Sequence, residues 1–447
     1  MNNRRLREQI GFYENELCNN ILPFWVNNSL DSKYGGYFNC FDNHGRELVS
    51  RDKYTWSQGR FVWMWSKLAQ SDCGTFTTKQ KDGFLMLAKS GRDFLYNHCL
   101  ISDNDFRCVF LMDETGSPKL VEGYDRYDMS IFADCFVTAA FARYALAAGD
   151  GESYIFSKKL YQSALDRLNK GDITTLPYPL SSCYRMHGIP MIFSNVTSEL
   201  YFSAQKFEPG YIQTLKENLK RFSTDVLTNF VDDNYVLHEI VTSDNRFFPR
   251  LLGQHVNPGH TLEDMWFMEE AARILGNEEH WLNRLVTITK KTLELCWDHE
   301  YGGILHMCGV TGGAPQGIIE DDSDYTDDTD DSDDSDDSDE PMLKQTIDCW
   351  SDKLWWVHSE ALYSTLLFYS KTGDETLLEW YDKIFGYTFD RFPNPDREIR
   401  EWIQILKRDG TPQDKIVALP VKDPYHITRN LILIIELLYE MSKPVTG

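Results

Sequence analysis

Asn257-Pro258-Gly259-His260-Thr261-Leu262-Glu263 reads as the opening turn of a helix, and it sets the pattern for the chain. Pro258 suits a first turn because it has no backbone N–H to leave unpaired. Behind it, Leu262, Met265, Trp266, Phe267 and Ala271 fall at helical apolar spacing. His260 then sits in the first turn, and Glu263, three residues on, shares its face. The partial positive charge of a helix N-terminus disfavours imidazolium. A neutral imidazole is what a general base near pH 7 requires. The segment therefore has the make-up of a site that takes a proton from carbon.

A second segment repeats the layout. Asp423-Pro424-Tyr425-His426 opens an apolar helix through Leu431, Leu433, Ile434, Leu437 and Leu438, and Arg429 follows His426 by three. One such histidine is as readily structural as chemical. Two in matching positions, each with a charged residue at +3, favour chemistry.

Helical periodicity dominates the chain of 447 residues. It predicts about twelve helices, near 5–28, 56–70, 80–98, 130–148, 153–169, 190–206, 209–227, 259–275, 279–297, 352–372, 375–391 and 425–442. Short strand-like pieces with turn residues lie between alternate helices: Lys33-Tyr34-Gly35-Gly36-Tyr37-Phe38, Asn234-Tyr235-Val236-Leu237-His238 and Tyr301-Gly302-Gly303-Ile304-Leu305. The two Gly-Gly segments resemble one another, which suggests repeated helix–loop–helix units. Six helical hairpins close naturally into a double ring. The expected fold is all-α, an (α/α)6 barrel with short β-hairpins in its loops, the inner helices apolar almost all round and the outer ones amphipathic. No linker divides the chain, so residues 1–447 are expected to form a single domain.

One tract interrupts it. Residues 320–340 hold 12 Asp and 2 Glu with no Lys or Arg. Such a tract repels itself and buries nothing, so it is expected to be a disordered loop insertion. It lacks the glycine and terminal glutamate spacing of a calcium loop. It also supplies much of the formal charge of −24, leaving about −10 for the remainder. That balance offers no basic patch for nucleic acid and no attraction to anionic membranes. No run of 18 apolar residues suggests a membrane span. The ten cysteines contain no CxxC pair. With no apolar leader at the start, they read as reduced thiols of a cytoplasmic protein.

Two further stretches carry chemistry. Trp56-Ser57-Gln58-Gly59-Arg60 runs into Phe61-Val62-Trp63-Met64-Trp65. A guanidinium in so apolar a run needs a partner, either a core carboxylate or the oxygens of a substrate. Lys353-Leu354-Trp355-Trp356-Val357-His358-Ser359-Glu360 places Trp356 and Glu360 on one helix face and His358 on another, where a structural role is expected. Aromatics make up 14% of the chain, and flat rings suit both sugar faces and helical cores. There is no HxxxH pair, P-loop or GxSxG, so no metal and no cofactor is expected.

These motifs resemble the N-acylglucosamine 2-epimerase family. The matching stretches are Asp52-Lys53-Tyr54 with Trp56, Gln58-Gly59-Arg60 and Trp63; Ala133-Asp134-Cys135-Phe136; Asn257 through Glu263 with Trp266; Lys353 through Trp356 with His358-Ser359-Glu360; and His426 with Arg429. They span nearly the whole chain in order. Thr428 stands where the family usually has proline. The resemblance implies an (α/α)6 barrel and metal-independent proton transfer at carbon 2 of an open-chain sugar. One histidine would remove the proton and the other return one from the opposite face, through an enediolate-type intermediate. It implies a catalytic set of His260, His426, Glu263 and Arg60, with Glu263 orienting His260 and both Arg60 and Arg429 near the oxyanion. Expected at the substrate are Arg429, Tyr54, Trp56, Asn195, Trp356, Glu360 and Lys353. The favoured reaction is interconversion of N-acetylglucosamine and N-acetylmannosamine, and a homodimer is the expected assembly. The competing readings are an aldose–ketose isomerase, a cellobiose 2-epimerase, a glycoside hydrolase using Asp134 and Glu263, and a non-catalytic interaction protein.

Overall fold

The computed structural model describes residues 1–318 and 341–443. The acidic tract at 320–340 therefore lies outside the described residues. All twelve expected helical segments are present. They are α1 (Asn3–Asn15), continuing through a π-helical turn into α2 (Leu22–Asn28), then α3 (Thr55–Gln70), α4 (Thr78–His98), α5 (Ile131–Ala148), α6 (Gly151–Lys170), α7 (Gly188–Phe207), α8 (Ile212–Asp225), α9 (Pro258–Leu275) and α10 (Glu278–Cys296). After them come α12 (Trp355–Thr372), α13 (Glu375–Arg391) and α14 (Tyr425–Met441). The short helix α11 (Pro341–Cys349) was not expected from the sequence.

Packing sorts these helices into two rings. The inner ring runs α3, α5, α7, α9, α12, α14 and closes where α14 meets α3. Each outer helix packs on an inner neighbour: α4 on α3, α6 on α5, α8 on α7, α10 on α9, α13 on α12, and α1 on α14. This is the (α/α)6 barrel. The inner helices have no polar stripe to offer water. In α5 nearly every residue is buried, whereas α8 buries only Leu215, Leu219, Phe222 and Ser223. The length and apolarity of α5 are those of a membrane span, but it lies within the inner ring. Close approach needs missing side chains. A Cβ on Gly59 of α3 would come within 2.8 Å of the Phe136 backbone on α5.

Among the described residues, the loops carry five two-stranded antiparallel ladders. Four of these sit just before inner helices or on the long loops facing them: Lys53–Tyr54 with Leu111–Met112, Tyr184–Met186 with Ile240–Thr242, His255–Val256 with Cys308–Gly309, and Lys353–Leu354 with Ile405–Leu406. The Gly-Gly resemblance is a structural repeat. Gly35, Gly36, Gly302 and Gly303 all have φ between 72° and 83°, which only glycine adopts freely. Beside each turn an aspartate takes a buried lysine from the start of an inner helix: Lys53 Nζ lies 2.7 Å from Asp31, and Lys353 Nζ lies 2.9 Å from Asp298. His358 ties its helix to the second turn. Its Nδ1–H donates to the Leu354 carbonyl at 2.8 Å, and its Nε2 accepts from Ile304 N–H at 2.9 Å. The structural role expected for it is thus the observed one.

One expectation fails here. Cys296 and Cys308 form a disulfide across the end of α10 and the following strand. The other eight cysteines are free thiols.

Candidate active site

The loops at one mouth of the inner ring enclose a cavity. Its lining includes Trp56, Arg60, Phe136, Tyr178, Met191, Glu239, His260, Glu263, Met307, Met342, Trp356 and His426. The two histidines reach it from the first turns of α9 and α14. Asn257 caps α9, its side chain accepting from His260 N–H at 3.2 Å, and Pro258 occupies the first turn. Asp423 accepts from Tyr425 N–H at 2.8 Å and so fixes the start of α14.

Trp356 packs near both imidazoles. Its ring centroid is 5.5 Å from that of His260 and 5.3 Å from that of His426. Gly259 makes room for it, because a Cβ there would lie 2.2 Å from the indole. Each imidazole is oriented by a carboxylate. His260 Nδ1 lies 2.9 Å from Glu239 Oε1, and His426 Nδ1 lies 2.7 Å from Glu360 Oε1. A proton on Nδ1 leaves the Nε2 lone pair of each ring free of those bonds.

Each orienting carboxylate is itself held by a cation. Arg429 on α14 contacts both Glu263 and Glu360, and its Nη1 donates to Tyr425 at 3.1 Å. Trp266 Nε1–H and Asn430 Nδ2–H complete the Glu360 cradle at 2.9 and 2.7 Å. On the other side, Glu239 faces His187 at 3.6 Å, and His187 Nε2 meets Asp264 at 2.7 Å. Burial alone would lower the His187 pKa, but the hydrogen bond with Asp264 and the nearby Glu239 carboxylate outweigh it and raise the value to about 9. Burial drives His426 the other way, down to about 3, with the nearby Glu263 carboxylate only partly opposing it. His426 is therefore neutral in the resting protein. The side chains differ in wetness: 22% of His260 is exposed against 6% of His426.

Arg60 fits both readings made of it. It pairs with Asp423, and its guanidinium packs 4.3 Å from the Phe136 ring and 4.9 Å from Trp56, yet it still lines the cavity. It is the guanidinium that faces the cavity, because Arg429 is sealed among carboxylates and aromatic rings.

The model of the N-acylglucosamine 2-epimerase (GlcNAc 2-epimerase) family matches residues 36–321 and 334–429. The chain belongs to this family. Mouse N-acylglucosamine 2-epimerase is 26% identical over 421 residues, which cover 94% of this chain and 89% of that protein. A cellobiose 2-epimerase of Ruminococcus albus is 24% identical over 430 residues, 92% of this chain and 94% of the other. The solved cellobiose 2-epimerase of Spirochaeta thermophila has the same barrel, with a TM-score of 0.73 over 98% of this chain and 99% of that one at 17% identity.

In this family member the structure redistributes several expected residues. Glu263 does not orient His260. It turns to Arg429 and lies 3.9 Å from His426, while Glu239 holds His260. Lys353 is not at the cavity: its ammonium is fully buried against Asp298 and the Gly302 carbonyl. Tyr54 packs with Phe110, Leu111 and Met129 behind the loops, and Asn195 is buried on α7 off the lining. Glu360 lies one layer back, behind His426, and Trp56 and Trp356 do line the cavity. Asp134, a hydrolase candidate, is locked to Arg167 at 2.7 Å away from the cavity. Sequence reasoning missed Glu239, His187, Asp264 and Asp423. Asp264, one helical turn from His260, and Asp423, at the head of the second histidine segment, each left a signal. The others come from loops whose pairing no local pattern encodes.

Proposed function

We propose that this epimerase interconverts N-acetylglucosamine and N-acetylmannosamine by two-base proton transfer at carbon 2. The observation carrying the proposal is the convergence of His260 and His426 on the Trp356 ring at the cavity, each with Nδ1 on a carboxylate and, among the described residues, Nε2 unbonded. In the open-chain sugar, one Nε2 takes the carbon-2 proton. The C–H electrons form a C1=C2 double bond, and the aldehyde oxygen takes the negative charge. For a 2-acetamido sugar this intermediate is an enolate with its charge on O1. Arg60 is the cation available to it. The other histidine, which must enter that turnover as imidazolium, then protonates carbon 2 from the other face, and the charge on O1 returns to a carbonyl. With His426 neutral at rest, His426 takes the proton and His260 delivers one, and the reverse reaction swaps the roles.

Two features favour an N-acyl sugar. Met186, Met191, Ile192, Met307, Met342, Val417 and Leu419 give part of the cavity an apolar wall suited to an acyl methyl group. The mouse relative is also named for that substrate class. The match to a cellobiose 2-epimerase keeps a disaccharide as the second reading.

The test is proton NMR of the purified protein with N-acetylmannosamine in deuterated water. N-Acetylglucosamine carrying deuterium at carbon 2 is the expected product. Turnover of cellobiose or of mannose to fructose, with N-acetylmannosamine untouched, would replace the proposal.

A further inference from the structure

We propose that His187 and Asp264 are positioning residues for the base His260, closing with Glu239 a circuit that begins and ends on α9. The circuit starts at His260 Nδ1, which lies 2.9 Å from Glu239 Oε1. The other Glu239 oxygen lies 3.6 Å from His187 Nδ1. His187 Nε2 lies 2.7 Å from Asp264 Oδ2, and Asp264 is one turn beyond His260 on the same helix. The backbone reinforces the middle of the circuit, since His187 N–H donates to the Glu239 carbonyl at 2.9 Å.

Neither His187 nor Asp264 touches the cavity. Both side chains are fully buried and absent from its lining, so any influence on a sugar passes through Glu239 and His260. His187 has carboxylates on both sides. A neutral imidazole offers one N–H, whereas imidazolium offers two, one toward each carboxylate. Among the described residues, Glu239 Oε2 and His187 Nδ1 have no hydrogen-bond partner within normal reach, and they face each other. A shift of a few tenths of an ångström would close that bond.

The groups facing His187 are Glu239, Asp264, the His260 ring at 6.5 Å and the Phe230 ring at 5.9 Å. His255, buried and held below its usual pKa by burial, lies near Glu239 and adds no positive charge. With His187 protonated, Glu239 and Asp264 share one buried cation. With it neutral, two buried carboxylates would be left without one. The charged circuit keeps Glu239 anionic as acceptor of the His260 Nδ1–H. It also gives that carboxylate a partner on each oxygen, which fixes its orientation toward His260 Nδ1.

Two measurements test this. The first needs no substrate: NMR of 15N-histidine-labelled wild-type protein, with the His187 signal assigned from its loss in His187→Gln. We expect His187 to carry protons on both nitrogens at pH 7.5 and to lose one only as the pH approaches about 9. A single proton at pH 7.5 overturns the proposal. The second uses Asp264→Asn and rests on the proposed epimerisation. Loss of the Asp264 charge should leave His187 neutral and Glu239 acting on His260 alone. The acidic limb of the kcat profile should then rise by about one pH unit. Near pH 7, kcat should fall by up to about ten-fold, the full ten-fold appearing below the limb, with KM within about two-fold, and Asp264→Glu should recover much of it. A folded Asp264→Asn enzyme with the wild-type acidic limb refutes the positioning role, whatever its stability. If Asp264→Asn does not fold, or if no sugar is turned over, the wild-type spectrum decides alone.

Discussion

Replacing Glu360 with glutamine tests how the second base is held. Glu360 is fully buried and accepts from His426 Nδ1–H at 2.7 Å, Asn430 Nδ2–H at 2.7 Å, Trp266 Nε1–H at 2.9 Å and the Arg429 guanidinium. Glutamine has nearly the same shape but swaps one acceptor oxygen for an NH2 donor. If that NH2 faces Trp266, two buried donors oppose each other. If it faces His426, the imidazole must accept at Nδ1 and place its proton on Nε2, where no lone pair remains for carbon 2. The stability cost is about 1–3 kcal/mol for a buried donor without an acceptor, limited because Arg429 keeps Glu263. The catalytic cost is larger, because the comparable carboxylate-to-amide exchange behind a histidine base in serine proteases costs about 10⁴-fold through the wrong tautomer. For Glu360→Gln we expect kcat to fall about 10³-fold, or about 4 kcal/mol in barrier, with KM changing less than about three-fold. The assay is the rate of N-acetylmannosamine epimerisation by NMR, alongside a thermal melt. A folded variant with kcat within five-fold of wild type, or a loss confined to KM, would refute this account of Glu360 and His426.

His260→Ala and His426→Ala should each abolish epimerisation with the circular dichroism of the barrel intact, and near-normal turnover in either would end the two-base scheme. Lys353→Met should destabilise the fold by about 2–3 kcal/mol, because Asp298 loses a buried partner but keeps Arg408 at 2.9 Å; a sugar KM raised more than a few-fold at full stability would return Lys353 to the substrate. Burial depresses His358, His306 and His426 to about 3, so each binds more protons unfolded than folded below pH 6.5. The stability they contribute is complete above about pH 6.5 and is lost as the pH falls toward about 3. The unfolding free energy from urea titration should therefore drop between pH 7.5 and 5.0 by up to about 2 kcal/mol per histidine, and His358→Gln should shrink that drop. EDTA should leave turnover unchanged. The two carboxylate–imidazole clusters of the site already hold their own cations, His187 and Arg429, and metal-reversible inhibition would show otherwise.

Much of this protein is legible in its sequence because helices and caps are local. Apolar spacing in stretches such as Ile131–Ala148 fixes which helices are buried on all sides, and a chain with six such helices alternating with amphipathic ones has few ways to bury them. Pro258 and Pro424 mark the first turns that carry His260 and His426, and the repeated Gly-Gly turns announce the repeat unit. The sequence could not say which carboxylate serves which histidine. Spacing put Glu263 on the face of His260, as it does for residues three apart, but only the closed ring brings Arg429 and Glu360 of two other inner helices to Glu263 and leaves His260 to Glu239 from a loop. Likewise Lys353 looked like a substrate contact until the fold placed Asp298 and a glycine carbonyl against its ammonium. Backbone periodicity depends on neighbours a few residues away and is written in the chain. The pairing of buried charges depends on groups far apart in the chain, 166 positions for Glu263 and Arg429 and 363 for Arg60 and Asp423. It is decided when the inner ring closes and water can no longer solvate them.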